Sequence, residues 1–292
     1  MKIIQVLTER GKGVSFEFFP PKTAEGRKAL LEVIKGLKVF NPLYVSVTYG
    51  AGGTTTDRTK ETIYEIQTVL DEPVMSHLTC IGATRSSIRA LLDEYRQKGV
   101  ENILALRGDK PQDVEDFDPS KGEFKYARDL VEFIKKEFPE FGISVAVYPE
   151  GHQEAPSLEA DLEYTRIKID AGADFAITQM FFDNSYYYDF LDRAQKKGID
   201  IPILPGIMPI TDIVKIKRFA SFCKATIPAE VEKRFEPYAE SPEDMLKLGV
   251  ELAIKQCEDL IGQGVRFLHF YTLNREDAVS EILKALVPTH FS

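Results

Sequence analysis

The feature that most constrains this chain is an alternation. Short runs rich in β-branched and aromatic residues are each followed by a stretch of helical period, and the pair recurs eight times. The β-type runs fall at 13–19, 43–49, 74–80, 102–108, 144–148, 175–182, 202–207 and 266–273. The helical stretches lie near 24–38, 57–70, 84–98, 126–137, 158–171, 185–197, 211–223 and 275–286. Helix starts carry their signals. Ser157 and Thr211 precede apolar-periodic runs, and Ser241-Pro242-Glu243-Asp244 joins an N-cap to a proline and to acids in the first turn. Gly99, Gly172 and Gly198 fall just past helix ends.

Strict alternation implies a parallel sheet, because each strand must return to the same edge through a helix. Eight units in 292 residues predict an α/β fold of the (β/α)8 TIM barrel type, a single domain over residues 1–292. Two segments read as insertions. Residues 110–125 are loop-like, with a solvated acidic run at Asp113, Glu115, Asp116 and Asp118, and residues 224–263 add a helix before the last strand. A doubly wound open sheet is the structural alternative. It usually carries a glycine-rich turn after its first strand, whereas this first strand ends in Phe-Phe-Pro-Pro.

Composition narrows the class. The net charge of −9 argues against a broad nucleic-acid-binding surface, though not against a local phosphate pocket. Cys80, Cys223 and Cys257 have no CxxC spacing, and no run reaches the roughly 20 apolar residues needed to span a bilayer. The expectation is a cytoplasmic protein that binds neither nucleic acid nor membrane.

In a barrel, chemistry gathers at the C-terminal ends of the strands. Those ends offer Glu17; Ser46 and Thr48; His77; Arg107 and Asp109; Tyr148 and His152; Gln179; and His269, Tyr271 and Arg275. Each has a plainer role open to it: His77 and His269 as core histidines, Arg107 and Asp109 as each other's partners, Gln179 as a backbone anchor. No metal is expected, since no converging ligand set such as HExxH appears. Glu17 is the hardest to assign to structure alone. It sits in the run VSFEFFPPK with no cation adjacent in sequence, and an unpartnered buried carboxylate is costly.

Eight motifs together resemble the methylenetetrahydrofolate reductase family: SFEFFPPK (15–22), SVTYGAGG (46–53), HLTC (77–80), ALRGD (105–109), VAVYPEGH (145–152), DAGADFAITQMFFD (170–183), PGIMP (205–209) and HFYTLNR (269–275). The family's catalytic domain is a (β/α)8 barrel, and the chain looks like the short bacterial form without a regulatory domain. The resemblance implies reduction of 5,10-methylenetetrahydrofolate, with FAD as cofactor and NADH or NADPH as donor. It also implies a homo-oligomer, with an electron-donating partner subunit in some relatives. By motif position, FAD contacts fall on Thr48, His77, Arg107, Gly108, Asp109, Tyr126, Ala127, Tyr148, His152, Asp161 and Lys168. Folate contacts fall on Glu17, Asp109, Gln179, Phe219, Tyr271 and Arg275. The chain departs from the family at Gln153, where proline is frequent, and at Tyr164 and Ile167, where some members place Asn and Arg near the FAD phosphates and adenosine.

The implied catalytic residues are Glu17 and Asp109. Glu17, set among Phe16, Phe18 and Phe19, is expected to have a raised pKa and to protonate the folate. Asp109, beside Arg107, is expected to stay ionised and stabilise a developing cation. Other classes remain open at this stage: an FAD barrel acting on another amine such as proline, a metal-dependent hydrolase, or a non-catalytic subunit of a larger redox assembly.

Overall fold

A computed structural model describes residues 1–50, 56–109, 118, 122–287 and 290. Its strands are β1 (Gly13–Phe18), β2 (Val45–Val47), β3 (Val74–Thr79), β4 (Asn102–Leu106), β5 (Gly142–Val147), β6 (Phe175–Thr178), β7 (Ile203–Leu204), β8 (Gly206–Ile207) and β9 (Phe267–Tyr271). All pair in parallel in the order β7-β6-β5-β4-β3-β2-β1-β9-β8. The two ends of that order, β7 and β8, are consecutive in the chain and separated only by Pro205. They form one stave, so the sheet closes as a barrel of eight staves, in agreement with the sequence expectation.

The seventh stave differs from the unbroken run expected at 202–207. Ile203 and Leu204 pair with β6, while Gly206 and Ile207 pair with β9. Proline has no N–H to give the ladder. Side chains take over instead: the Gly206 N–H donates to Thr178 Oγ1 at 2.9 Å, and the Tyr271 hydroxyl donates to the Thr178 carbonyl at 2.6 Å. A Cβ on Gly206 would lie 2.6 Å from the Tyr271 ring, so the close approach requires glycine.

The helices are α1 (Ile3–Arg10), α2 (Ala24–Lys38), α3 (Thr56–Ile66), α4 (Arg85–Gln97), α5 (Ala127–Glu137), α6 (Leu158–Asp170), α7 (Asn184–Lys196), α8 (Ile213–Cys223), α9 (Ala229–Phe235), α10 (Pro242–Gly262) and α11 (Asp277–Leu286). Ser157 and Ser241 cap α6 and α10 as expected, whereas α8 is capped by Asp212 rather than Thr211. The 224–263 insertion holds α9 as well as α10. Of the 110–125 insertion, residues 110–117 and 119–121 lie outside the described residues. No described helix is long and apolar enough to cross a membrane.

Two apolar layers result. Outward-facing strand residues such as Phe16, Phe18, Val45, Val47, Ile103 and Val145 pack under the helices. Inside the barrel, Tyr44, Met75, Leu104, Phe175, Ile177 and Leu204 fill the lower half. Helix α1 closes the floor by burying Ile3, Val6 and Leu7 against them. With the floor filled by hydrocarbon, the upper interior is left for polar groups.

Candidate active site

Period-two geometry on β1 sends Val14, Phe16 and Phe18 outward and Ser15 and Glu17 into the barrel. The register sets Ser15 beside His269 and Glu17 beside Tyr271. Glu17 is 8% exposed, and its Oε2 lies 3.3 Å from His77 Nε2 and 3.4 Å from His269 Nε2. His269 is fixed in turn: its Nδ1 is 2.8 Å from Ser15 Oγ and 3.4 Å from the Tyr44 hydroxyl, and the Tyr44 ring stacks on it at 5.8 Å.

This corrects the expectation for Glu17 twice. The flanking phenylalanines do not surround the carboxylate, because adjacent residues of a strand face opposite sides, and Phe19 is exposed. Nor does Glu17 lack a partner. Burial pushes its pKa up, but the charge and hydrogen bonding of His77 and His269 outweigh burial and hold it at about 2, well below the usual 4.5.

A cavity of about 480 Å³ opens at the C-terminal ends of β4 and β5, against α5 and α6. Arg107, Tyr126, Ala127, Tyr148, His152, Asp161 and Lys168 all line it. Seven residues from the ends of β4 and β5 and from the starts and faces of α5 and α6 thus converge on one wall. Arg128, Glu154, Tyr164 and Ile167 line it too.

The electrostatics of the cavity follow from its burial. Asp161 and Lys168 are seven residues apart on α6, so they share a face. Asp161 is 4% exposed, and burial pushes its carboxyl up against the opposing pull of Lys168 and His152. Lys168 donates to the Ala146 carbonyl at 2.6 Å and stands 5.8 Å from the centre of the Tyr148 ring. Burial draws its ammonium down to about 8, with Asp161 opposing. Burial likewise lowers the pKa of His152, whose ring meets Tyr148 edge-on at 4.7 Å.

Arg107 was expected beside Asp109, and it does feel that charge, but its guanidinium grips Glu154 with two contacts, 2.5 and 2.7 Å, because the loop after β5 delivers a carboxylate that matches the guanidinium fork. Asp109 is exposed at the mouth. The turn that carries it there depends on Gly108, at φ +85°, where a Cβ would lie 2.7 Å from Thr79 Cβ.

The remaining residues spread around the same barrel end. Thr48 donates its N–H to the Phe18 carbonyl at 2.9 Å and accepts from Thr59 at 3.1 Å. Gln179 turns its Oε1 back onto the Met180 N–H at 2.9 Å, leaving its amide NH₂ as the group it can offer. Phe219 on α8 is 39% exposed. Arg275 is exposed and ion-paired with Asp277. Sequence reasoning missed Glu154 and Arg128 as lining residues and Ser15 altogether, and it offered His269 as a strand-end candidate without giving it a role. The period of two would have found Ser15, since it shares a face with Glu17.

The lining suits an anionic ligand that carries aromatic groups. Arg107, Arg128 and Lys168 supply positive charge, Tyr126, Tyr148 and Tyr164 supply rings, and Lys168 is held by a neutral carbonyl rather than a close carboxylate.

The family profile described as Methylenetetrahydrofolate reductase matches residues 2–287. The chain is 42% identical over 265 residues to 5,10-methylenetetrahydrofolate reductase of Escherichia coli K12, covering 90% of this chain and 87% of that protein. It is 38% identical over 294 residues to Methylenetetrahydrofolate reductase (NADH) 1 of Arabidopsis thaliana, covering 97% of this chain. The chain spans about half the length of that plant relative, 50%. Among solved structures, a Clostridium thermocellum protein described as binding two copies of 5-methyl-5,6,7,8-tetrahydrofolic acid aligns with TM-score 0.64 at 15% identity, over 97% of this chain and 96% of that one. At that identity the likeness is one of fold. An oxaloacetate acetylhydrolase aligns at TM-score 0.53 and 12% identity, over 99% of this chain and 86% of that one. On the profile match and the sequence identities, the chain belongs to the methylenetetrahydrofolate reductase family.

Proposed function

We propose that this chain reduces 5,10-methylenetetrahydrofolate to 5-methyltetrahydrofolate, with FAD held in the α5–α6 cavity. The donor is a reduced nicotinamide, and NADH is the form in the names of the plant relatives. The observation that carries this reading is a histidine-held carboxylate, Glu17, in the same barrel mouth as the cation-lined cavity.

Arg107, Tyr126, Ala127, Tyr148, His152, Asp161 and Lys168 would hold the cofactor along the cavity, together with Thr48, His77, Gly108 and Asp109. When bound, FAD supplies hydride storage between two half-reactions. The folate's five-membered ring must open before it accepts hydride, which requires a proton on N10 and leaves a cation at N5. Glu17 rests as an anion, so the proton is held by the unit of Glu17, His77 and His269. The Glu17 carboxylate, whose Oε2 lies 3.3–3.4 Å from both ring nitrogens, would be the group that hands the proton to N10. Asp109, exposed at the mouth, faces the developing cation. Gln179 offers its amide NH₂ to the pterin edge. Tyr271 borders the pterin, and Phe219 stacks on pterin or nicotinamide in turn, which makes the kinetics ping-pong. Arg275 exchanges Asp277 for the carboxylates of the folate tail.

The test is an absorption spectrum of the purified protein, followed by anaerobic titration with NADH and then methylenetetrahydrofolate. A flavin spectrum bleached by the first and restored by the second is expected. A colourless protein that FAD cannot reconstitute overturns the reading.

A further inference from the structure

The β1–β9 ladder ends at Glu17 and Tyr271, and side chains carry the pairing past that end. Thr272 gives the Glu17 carbonyl its hydroxyl at 2.7 Å and its N–H at 3.3 Å. Asn274 then holds both polar atoms of the Phe19 backbone. Its Oδ1 accepts from the Phe19 N–H and its Nδ2 donates to the Phe19 carbonyl, each at 2.8 Å. One planar amide making two such bonds fixes orientation as well as distance. Pro20 and Pro21, which follow, have no N–H with which to continue a ladder. Asn274 therefore ties the exit of the strand that carries Glu17 to the exit of β9.

That tie is made from a strained turn. Leu273 and Asn274 stand at φ +52° and +58°, in the left-handed region. Asparagine visits that region readily, but a leucine there is an outlier that its surroundings must impose. Leu273 packs against the apolar cluster that contains Met180, Met208 and Ile210. Thr272 Oγ1 accepts the Asn274 N–H at 3.1 Å, and the Thr272 carbonyl accepts the Arg275 N–H at 3.0 Å. The turn thus has one anchor in hydrocarbon and another on the exit of β1. Arg275 leaves it one residue before Glu276, the N-cap of α11.

We propose that Asn274 is a positioning residue for the folate half-reaction, its amide locking the strand end that carries Glu17 and the turn that presents Arg275 into one unit. The assignment rests on the function proposed above, in which Glu17 serves N10 and Arg275 the carboxylates of the tail. One folate molecule then spans both ends of the unit, and binding energy gained at its tail is turned into placement of N10 against the acid. A loosened unit binds each end of the substrate without holding the two in register. The backbone conformation alone would be met by glycine, so glycine at this position separates the needs of the turn from the work of the amide.

Stopped-flow rates are measured for both half-reactions in the FAD-loaded full chain, with 5,10-methylenetetrahydrofolate and with 5,10-methylenetetrahydropteroate, which lacks the glutamate tail. In Asn274→Gly, reoxidation of the reduced flavin by the full substrate should slow by about tenfold to a hundredfold, while reduction by NADH keeps its rate. Asn274→Asp retains the acceptor for the Phe19 N–H but sets a carboxylate against the Phe19 carbonyl, and it should slow reoxidation as well. With the tail-less substrate the wild type should already be slow, and the two variants no slower. Asn274→Gly at the wild-type rate means that only the conformation of the turn matters, and overturns the proposal. A fall shared by the tail-less substrate or by the NADH step marks Asn274 as support for Glu17 alone or for the fold, and overturns it too; so do variants that cannot be loaded with FAD. A wild type whose reduced flavin the full substrate does not reoxidise sinks the function proposed above, and the positioning role with it.

Discussion

Two carboxylates lie almost equally deep in this molecule and are driven in opposite directions. Glu17, inside the barrel, is 8% exposed and held down at about 2; Asp161, on the cavity wall, is 4% exposed and pushed up. Burial acts on both in the same sense, so depth does not decide the outcome. The neighbours do. Glu17 meets two imidazole nitrogens at a single oxygen, and their charge and hydrogen bonds exceed the desolvation cost. Asp161 is opposed mainly by the charge of Lys168 and His152, which is not enough to reverse it. One carboxylate is thus held as an anion between fixed partners, and on the other burial outweighs the neighbouring cations.

The comparison can be broken most decisively at Glu17. Glu17→Gln keeps the side chain's shape but cannot pass on a carboxylic proton. Reoxidation of the reduced flavin by methylenetetrahydrofolate should slow about 10²–10⁴-fold, while reduction by NADH continues at a similar rate. Stopped-flow measurement of the two half-reactions decides, and equal falls in both would place Glu17 with the flavin-positioning wall. The wall has its own counterpart test. Lys168→Ala should weaken FAD binding by roughly ten- to hundredfold, through loss of a charge-assisted contact of about 1.5–3 kcal/mol. The folate half-reaction of the loaded variant should be preserved, and unchanged retention of FAD on dilution would remove Lys168 from the phosphate site.

A third test sharpens the sign difference. A carboxylate held low contributes stability above its ordinary pKa and loses it as pH falls through the folded value. The Glu17 contribution should therefore fade between about pH 4.5 and about pH 2. His269→Asn should remove part of that acid sensitivity. For Asp161 the sign reverses: its burial penalty applies while it is ionised and is relieved as pH falls, so Asp161→Asn should stabilise most at neutral pH. Urea midpoints at pH 3, 5 and 7 read both; parallel shifts in the two variants would abolish the contrast. The smallest effect concerns Lys168, whose ammonium begins to lose its proton at about pH 8. FAD affinity should decline by a few-fold as pH rises from 7 to 9, and that slope should vanish in Lys168→Ala.

Much of this arrangement was legible in the chain. The eight staves and most helices follow from the change of period between two and 3.6, a local property that tertiary packing here reinforces. Helix α1 escaped notice because IIQVLTER is short and its burial is decided by the barrel floor, a partner assembled from five strands far away in sequence. The split at Pro205 was visible as a residue but not as a break, since nothing local says that the flanking dipeptides serve different neighbours. The same limit explains Glu17. Its lack of a cation nearby in sequence was correct, yet His77 and His269 stand 60 and 252 positions away and meet it only through strand order. The register of a closed sheet supplies partners that no linear window contains. Glu154 was hidden for a similar reason, reaching Arg107 through a loop whose path is not periodic.

Pro205 has a mechanical consequence. A closed ladder shares strain around its whole circumference, whereas this ring is stitched at one stave by side chains: Thr178 Oγ1 to Gly206 and Tyr271 to the Thr178 carbonyl. The ring therefore has a seam, and the seam runs beside Gln179 and Tyr271, with its Thr178 on the strand that pairs directly with the one carrying Tyr148. A change in girth at this seam would therefore reach both the side proposed to receive the folate and the adjoining wall proposed to carry the cofactor.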